Sequence, residues 1–372
     1  MTEKKNILVV SSSFYPELSP RSFRTTELVK ELARQGHGVT LYTLKDAGLH
    51  DALAKEINIT IKDLGKRRFS RININHPGKW ISLLKRAVSR ALLMFFEYPD
   101  IELVFKVSRA LKSEKGYDLL ISIAVPFPIH WGVAKALSGN KKLTKTWVAD
   151  CGDPYMFCKT DSFKKLFYFK YIEKWFCRRA DYLTVPTAGA VQAYYPEFHS
   201  KIRVIPQGFN FEETPVFTGE IKNDIPTFAY AGGFIAGIRD PGEFLGFLCN
   251  YHQPYKFIIY TNSTGLVDSY VPASGNRIEL REYIPRKTLL AELSKMDFLV
   301  NFNNGTAVQT PSKLIDYAIT KRPVLSIDTG KLDTTAVNDF LNGDYRQQFV
   351  MPDLAGYDIR NIAKQFVALC IN

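Results

Sequence analysis

The residues best placed to bind an anion lie in the segment TPSKLIDYAITKRPVL, residues 310–325. Thr310 is a good helix N-cap and Pro311 suits the first helical position, so a helix is expected to begin there. The free backbone N–H groups of its first turn would form a phosphate site. These groups belong to Ser312, Lys313 and Leu314.

Two side chains of the same helix extend this site. Lys313 adds a positive charge suited to phosphate. Asp316 lies four residues after Ser312 and therefore on the same helix face, where its carboxylate could accept hydrogen bonds from the hydroxyls of a ribose. The alternative interpretation is a plain capped helix with a surface Lys and Asp.

A second candidate loop is YAGGFIAGIRD, residues 230–240. Gly232 and Gly233 would let a diphosphate approach the backbone, and Arg239 could neutralise it through bidentate hydrogen bonds. The loop matches neither the dinucleotide fingerprint nor the Walker motif. The alternative is that these glycines only make a turn.

Other polar residues follow predicted strands nearer the N-terminus. Arg21 and Arg24 begin a helix, where positive charges oppose the helix dipole, so an anion is expected beside them. Two solvated arginines are the alternative. His130, Asp150 and Asp153 come directly after two more strands, although a histidine near an apolar helix is more often a core residue.

Short β-branched runs alternate with amphipathic stretches of helical length along the chain. This pattern is typical of parallel α/β sheets. The alternation is interrupted in the Pro- and Gly-rich stretch after residue 206 and resumes after it. This predicts two Rossmann-like domains facing across a cleft. The predicted parts are a first domain over 1–206, a linker over 207–225, a second domain over 226–355 and a closing helical segment over 356–372 that could pack back on the first domain.

Composition supports a folded protein of two domains. The chain has 372 residues, of which 46% are hydrophobic and 23% charged. Neither a secretion signal nor a membrane-spanning stretch is recognisable, so we expect a cytoplasmic location. The five cysteines form no CxxC pair, and no metal or other cofactor is expected.

Positive charge is concentrated in the first domain. The chain carries a net charge of +12, and residues 62–92 hold nine Lys and Arg against one Asp. A stripe of apolar residues follows within WISLLKRAVSRALLMFF. It comprises Trp80, Leu83, Leu84, Ala87, Val88, Ala91 and Leu92. We expect residues 62–97 to bind an anionic membrane surface. The alternative is an ordinary core helix, and no nucleic-acid-binding module is recognisable.

Taken together, the motifs resemble the retaining glycosyltransferases of family four, which have the two-domain GT-B fold. The resemblance rests on FYPE…R, WVADCGDPY, KIRVIPQGFN, AGGFIAGIRDP and PSKLIDYAITKRPVL, and it covers nearly the whole chain. It implies transfer of a sugar from a nucleotide-sugar donor, bound by the second domain, to a lipid-linked or glycan acceptor bound by the first. Bacterial cell-surface polysaccharide (capsule, O-antigen or exopolysaccharide) assembly is the implied setting.

The resemblance also implies roles for single residues. Asp316 matches the ribose carboxylate, Arg239 the basic residue at the donor diphosphate, and His130 the residue near the transferred sugar. From their own charge and position, and not through the resemblance, Lys313 is expected to assist Arg239, and Arg21, Arg24, Asp150 and Asp153 are expected to face the acceptor. Val308 stands where the family has the first of two glutamates. The segment SPRSFR stands where the family has a glycine-rich first loop. A nucleotide-sugar epimerase and a non-catalytic binding subunit are the alternatives.

Overall fold

The computed structural model forms two compact units. It describes residues 3–73, 78–157, 164–212, 216–217, 219–220, 222–303, 312–351 and 353–370. Unit 1 comprises Met1–Phe209 and Gly356–Asn372, and unit 2 comprises Asn210–Ala355.

Within the described residues, unit 1 is built on a sheet of seven parallel strands in the order β3-β2-β1-β4-β5-β6-β7. The strands are β1 (Asn6–Val10), β2 (Gly38–Thr43), β3 (Thr60–Asp63), β4 (Tyr117–Ile123), β5 (Thr144–Asp150), β6 (Tyr182–Val185) and β7 (Ile202–Val204). The helices before the linker are α1 (Pro20–Arg34), α2 (Ala47–Glu56), α3 (Lys79–Phe96), α4 (Glu102–Ala110), α5 (Pro128–Gly139) and α6 (Phe169–Arg179). The central strands are continuous apolar runs because helices cover both faces of the sheet.

Unit 2 repeats this architecture on a smaller scale, with five described parallel strands in the order β10-β9-β8-β11-β12. Its strands are β8 (Thr227–Ala231), β9 (Lys256–Tyr260), β10 (Ile278–Arg281), β11 (Phe298–Phe302) and β12 (Val324–Ile327). Its helices are α7 (Gly242–Asn250), α8 (Tyr270–Ala273), α9 (Arg286–Leu293), α10 (Ser312–Thr320) and α11 (Thr334–Leu341).

The C-terminal helix α12 (Ile359–Val367) belongs to unit 1. Its apolar residues Ile362 and Phe366 are fully buried in the core that also contains Leu28 and Leu32 of α1. A backbone bridge between Phe209 and Asp358 holds the start of this segment. The closing segment is therefore part of the first core.

The predicted fold of two parallel α/β domains is confirmed. The sequence pattern did not indicate helix α2 or strand β3. Strand β3 is a short edge strand in which only Ile61 is buried, and α2 buries only His50 and Leu53. The sequence pattern predicts a helix near residues 188–195, and the structure has a 3-10 helix over Ala188–Ala193. Among the described residues, no helix has the length and apolar character needed to cross a membrane.

Candidate functional site

In unit 2, the loop after β8 carries two of the predicted glycines. Gly232 has φ +150°, and a Cβ there would lie 2.9 Å from the Tyr230 hydroxyl oxygen. That hydroxyl donates to the Gly233 carbonyl oxygen over 3.0 Å. The turn therefore needs glycine at position 232, as expected where backbone must pass close to a side chain or ligand.

Arg239 is held by a small backbone ladder within the same loop. Its N–H donates to the Ile235 carbonyl oxygen over 2.8 Å, and the Ile235 N–H donates in return over 3.2 Å. The next residue, Asp240, donates its N–H to the Thr329 hydroxyl, which donates to the Ile238 carbonyl oxygen. These bonds fix the backbone that presents Arg239.

Helix α10 is docked to the same end of β8. The Tyr317 hydroxyl accepts the Ala231 N–H over 2.9 Å, and Tyr317 is fully buried. Lys313 lies one turn earlier on the helix, and its Nζ sits 4.7 Å from the centre of the Tyr230 ring. The helix thereby brings a lysine towards the loop that carries Arg239.

Lys313 and Arg239 share an unusual feature. Lys313 Nζ and Arg239 Nε are buried, and neither has a hydrogen-bond partner within the described part of the chain. Burial, with a smaller effect of the Arg239 charge, lowers the pKa of Lys313 to about 7. A buried donor without an acceptor is costly, so this pair is a ready site for an anion.

Asp316 has a partner that the sequence did not indicate. Arg286, the first residue of α9, donates to Asp316 Oδ1 through Nε over 3.0 Å and through Nη2 over 2.5 Å. Burial raises the pKa of the Asp316 carboxyl, and Arg286 opposes that rise. The predicted ribose carboxylate is thus one half of an ion pair.

The remaining predictions for this helix divide into two groups. Thr310, Pro311 and Val308 lie outside the described residues. Ser312 begins α10, and the Leu314 side chain is buried in the core of unit 2. For Leu314, therefore, only the backbone N–H remains a candidate ligand.

In unit 1, the anion expected beside Arg24 is supplied by the protein itself. The Arg24 guanidinium donates to both oxygens of Asp150, over 2.8 and 3.1 Å, and to the Ile205 carbonyl oxygen over 3.1 Å. Asp150 also accepts from the Thr184 hydroxyl over 2.6 Å. Burial acts to raise the pKa of Asp150, but the two arginines hold it below its usual value. Because both side chains are 3% exposed, we interpret Arg24 and Asp150 as structural, not as acceptor ligands.

Arg21 and Asp153 remain candidates for contact with a substrate. The Arg21 side chain is 20% exposed, with Nη1 3.5 Å from Asp150 Oδ2. Its guanidinium lies against Gly152, where a Cβ would approach Arg21 Nη2 to 1.8 Å. Asp153 is exposed on the following turn. The glycine at 152 is therefore required for Arg21 to occupy this position.

His130 is a core residue in this structure. It is fully buried, with Nδ1 2.8 Å from Ser122 Oγ and Nε2 3.6 Å from Cys151 Sγ. Burial lowers the pKa of His130 to about 3, so the ring is neutral at physiological pH. The predicted direct contact with a sugar is corrected to the core alternative, because no surface of the ring is exposed.

Sequence reasoning missed Arg286 and Tyr230. Arg286 lies 30 residues before its partner and on another helix, so no local spacing points to it. Tyr230 lies in β8 directly before the glycine loop, and a tyrosine within a strand gives no local sign of a place in a binding site. The Tyr230 ring lies close to Lys313 Nζ because of the way α10 packs against β8, and the sequence does not show that packing.

Comparisons with known proteins agree with this architecture. The solved structures that resemble the chain include a glycosyltransferase from Rickettsia africae ESF-5, at 11% identity and TM-score 0.57, covering 99% of this chain and 94% of that one. Anabaena Alr3699/HepE in complex with UDP matches at 10% identity and TM-score 0.58, covering 98% of both chains. A putative UDP-N-acetylglucosamine 2-epimerase from Listeria monocytogenes matches at 12% identity and TM-score 0.50, covering 99% and 96%.

Likeness at such low identity shows the fold alone, and it is the GT-B fold of two Rossmann-like domains. Comparison with curated protein sequences finds no match. The family model of Glycosyltransferase Family 4 matches residues 23–213, just over half of the chain. The protein therefore belongs to Glycosyltransferase Family 4 and is a glycosyltransferase.

Proposed function

We propose that the protein transfers a sugar from a nucleotide-sugar donor to a lipid-linked or glycan acceptor in cell-surface polysaccharide assembly, with retention of the anomeric configuration. Unit 2 holds the donor and unit 1 the acceptor. The observation that carries the donor assignment is the pair of buried, unpartnered cationic atoms, Lys313 Nζ and Arg239 Nε. Both lie where strand-end loops of a parallel sheet bind ligands.

A diphosphate satisfies this pair better than any single neutral group. Its negative oxygens would accept from Arg239, from Lys313 and from the free N–H groups at the start of α10. The fold neighbour HepE has been solved with UDP and with UDP-glucose, which supports a nucleotide sugar. Asp316 then accepts from the ribose hydroxyls.

The same cations serve the chemical step. Transfer breaks the bond between the anomeric carbon and the diphosphate oxygen, and negative charge builds on the departing nucleoside diphosphate. Fixed positive groups directed at that charge lower the barrier because they need no reorganisation during the reaction. Arg239 and Lys313 would supply this stabilisation, so we propose that no metal ion is required.

On unit 1, Arg21 and Asp153 are the residues we propose for the acceptor. Arg21 would bind a phosphate of the acceptor lipid carrier, and Asp153 would accept from a sugar hydroxyl. The positive charge of this half of the chain favours such an anionic acceptor.

Helix α3 supports a membrane location at the inner face of the cell membrane. Its apolar face is turned outwards, with Trp80 84%, Leu84 65% and Phe96 60% exposed. The less exposed positions are polar in the first part of the helix, at Ser82, Lys85 and Ser89, and apolar near its end, at Ala91, Leu92 and Met94. A helix that presents its apolar face outwards suits an apolar partner, and flanking basic residues suit an anionic leaflet.

The sequence shows Asp63 as the one acidic residue within the basic segment 62–92, but two of its basic residues have acidic partners from elsewhere in the chain. Lys62 pairs with Glu114 over 2.6 Å, and Arg67 pairs with Asp100. Lys66, Arg68 and Arg71 remain exposed. We assign membrane attraction to these three residues, not to the whole run.

A panel of nucleotide sugars, measured by thermal shift and by release of free sugar, tests the donor assignment. We expect one or a few donors to raise the unfolding temperature and to be hydrolysed slowly without acceptor. The Arg239→Gln variant should lose this shift, whereas Arg346→Gln, at an exposed ion pair of the same unit, should keep it. Formation of an epimeric nucleotide sugar would instead support the epimerase alternative, and no shift with any donor would contradict the proposal.

A further inference from the structure

We infer that Arg286 is a positioning residue for the donor site: it holds the Asp316 carboxylate ionised and oriented through Oδ1, which leaves Oδ2 to accept from the donor. This inference rests on the proposed function, since it assumes that Asp316 binds the donor. It concerns a residue on a different helix from the predicted anion site.

The contact geometry supports this role. Arg286 donates twice to the same oxygen, through Nε over 3.0 Å and through Nη2 over 2.5 Å. Among the described residues, no bond to Oδ2 accompanies them. A carboxylate has acceptor capacity on both oxygens, so this arrangement fixes the group through one oxygen and keeps the other for a hydroxyl.

The electrostatic situation requires such a partner. The Asp316 side chain is 21% exposed, and burial favours its neutral form, in which one oxygen carries a proton and donates. Arg286 on α9 opposes this effect. Tyr317, the next residue on α10, is neutral because burial holds its pKa well above the usual value. Among the described residues, Arg286 is thus the charge that keeps the Asp316 carboxylate ionised.

Three roles for Arg286 predict different results. A positioning residue acts through Asp316, so its loss and the loss of the carboxylate should not add. A residue that touches the donor directly would add its own effect to that of Asp316. A purely structural residue would lower stability and leave donor affinity in the folded protein unchanged.

The test is a double-mutant cycle of donor affinity over pH 5.5 to 8.5, made with wild type, Arg286→Gln, Asp316→Asn and the double variant. The probe is the tightest nucleotide sugar of the panel, whose diphosphate diester does not titrate in this range. Arg286→Lys is the conservative variant, and Arg346→Gln removes an arginine from a similar but exposed pair with Asp344. Circular dichroism confirms folding of each variant.

We expect Asp316→Asn to weaken binding about tenfold or more at every pH, as for a lost charge-assisted hydrogen bond. Relative to wild type at the same pH, Arg286→Gln should lose affinity most at low pH and approach wild type as pH rises, because the unpaired Asp316 carboxyl must lose a proton before both of its oxygens can accept. The double variant should match Asp316→Asn, and Arg286→Lys should recover part of the affinity.

A loss of affinity in Arg286→Gln that is the same fraction of the wild-type affinity at every pH, or additive losses in the double variant, would overturn the inference while leaving the donor assignment intact. If wild type binds no nucleotide sugar, the proposed function itself has failed. The two failures are therefore distinguishable.

Discussion

At the scale of single residues, Lys313 and Arg239 differ from Arg24, which is paired with Asp150, and from Arg286, which is paired with Asp316. Lys313 Nζ and Arg239 Nε have no hydrogen-bond acceptor within the described ranges. Leaving two donors unpaired in a folded protein costs stability, and an anionic ligand would recover that cost.

The lysine makes donor binding sensitive to pH. In the free protein, burial lowers the pKa of Lys313 to about 7, and a bound diphosphate would raise it. Binding therefore takes up a proton above pH 7, so affinity is greatest below pH 7 and falls as pH rises towards the pKa of the complex. Calorimetry in buffers of different ionisation enthalpy should show this uptake at pH 8.

The matched variant is Lys313→Arg, which keeps the charge but cannot lose its proton in this range. It should bind donor without proton uptake and with a flat pH profile. Wild type that binds with no proton exchange at pH 8 would contradict this account of Lys313.

The pair of Arg24 and Asp150 is expected to act on stability. Removing one partner leaves the other charge buried, which typically costs about 3 to 5 kcal/mol. Asp150→Asn should therefore lower the free energy of unfolding of unit 1 by an amount near that range, measured with urea. Donor affinity at unit 2 should not change in the folded variant, and an unaltered unfolding curve would refute the structural role.

Local spacing accounts for part of the candidate site at this scale. Lys313 and Asp316 are three residues apart on one helix that begins after a strand, and positions three or four residues apart share a helix face. Arg286 could not be found this way, since it reaches Asp316 from α9 across tertiary packing. His130 was misplaced for a similar reason: position after a strand does not show whether a ring faces solvent or core.

At the scale of elements, α3 is the helix whose surroundings do not match its sequence. An amphipathic helix normally buries its apolar stripe. Here Trp80 and Leu84 are exposed, while the C-terminal end is fastened by Glu97, which accepts from the Tyr155 hydroxyl over 3.0 Å and pairs with Lys165. Sequence periodicity predicted the stripe, but only the packing shows which face is turned outwards.

This orientation predicts reversible binding to anionic membranes. Each basic residue near an anionic leaflet contributes about 1 kcal/mol. Replacing Lys66, Arg68 and Arg71 with Gln should therefore weaken binding to anionic vesicles about a hundredfold, as measured by sedimentation. High salt should release wild type, and neutral vesicles should bind it weakly.

The control replaces the exposed Lys112, Lys141 and Lys142 with Gln, which removes the same charge elsewhere on unit 1. It should bind anionic vesicles almost as wild type does. Full retention by the first triple variant would exclude this mode of attachment. Concentration-dependent self-association that is lost in Leu84→Ser would show that the apolar face binds a second copy instead.

At the scale of the whole molecule, the sequence contains enough information to predict the two units. Strands such as NILVV and FLVNF are buried on both faces and are separated by helices that end near glycine or a new strand. That alternation predicts parallel topology, because a helix between two strands returns the chain to the end of the sheet where the first strand began. The short edge strand β3 escaped prediction because an edge strand with one buried position carries little hydrophobic signal.

Two units of similar architecture carry different charge and different sites. Unit 1 contains the basic segment and the exposed α3, and unit 2 contains the unpartnered cations. The division suits a transferase in which one unit holds an activated donor and the other an acceptor. The central proposal for unit 2 is that Arg239 and Lys313 recognise the diphosphate of that donor.

The most direct test is to measure, by calorimetry, the affinity of wild type and of Arg239→Gln for the nucleoside monophosphate and the nucleoside diphosphate of the preferred base. Wild type should bind the diphosphate at least tenfold more tightly than the monophosphate, because the second phosphate meets both cations. Arg239→Gln should lose most of that preference and keep its affinity for the monophosphate. An unchanged preference in Arg239→Gln, or equal losses for both nucleotides, would contradict the account.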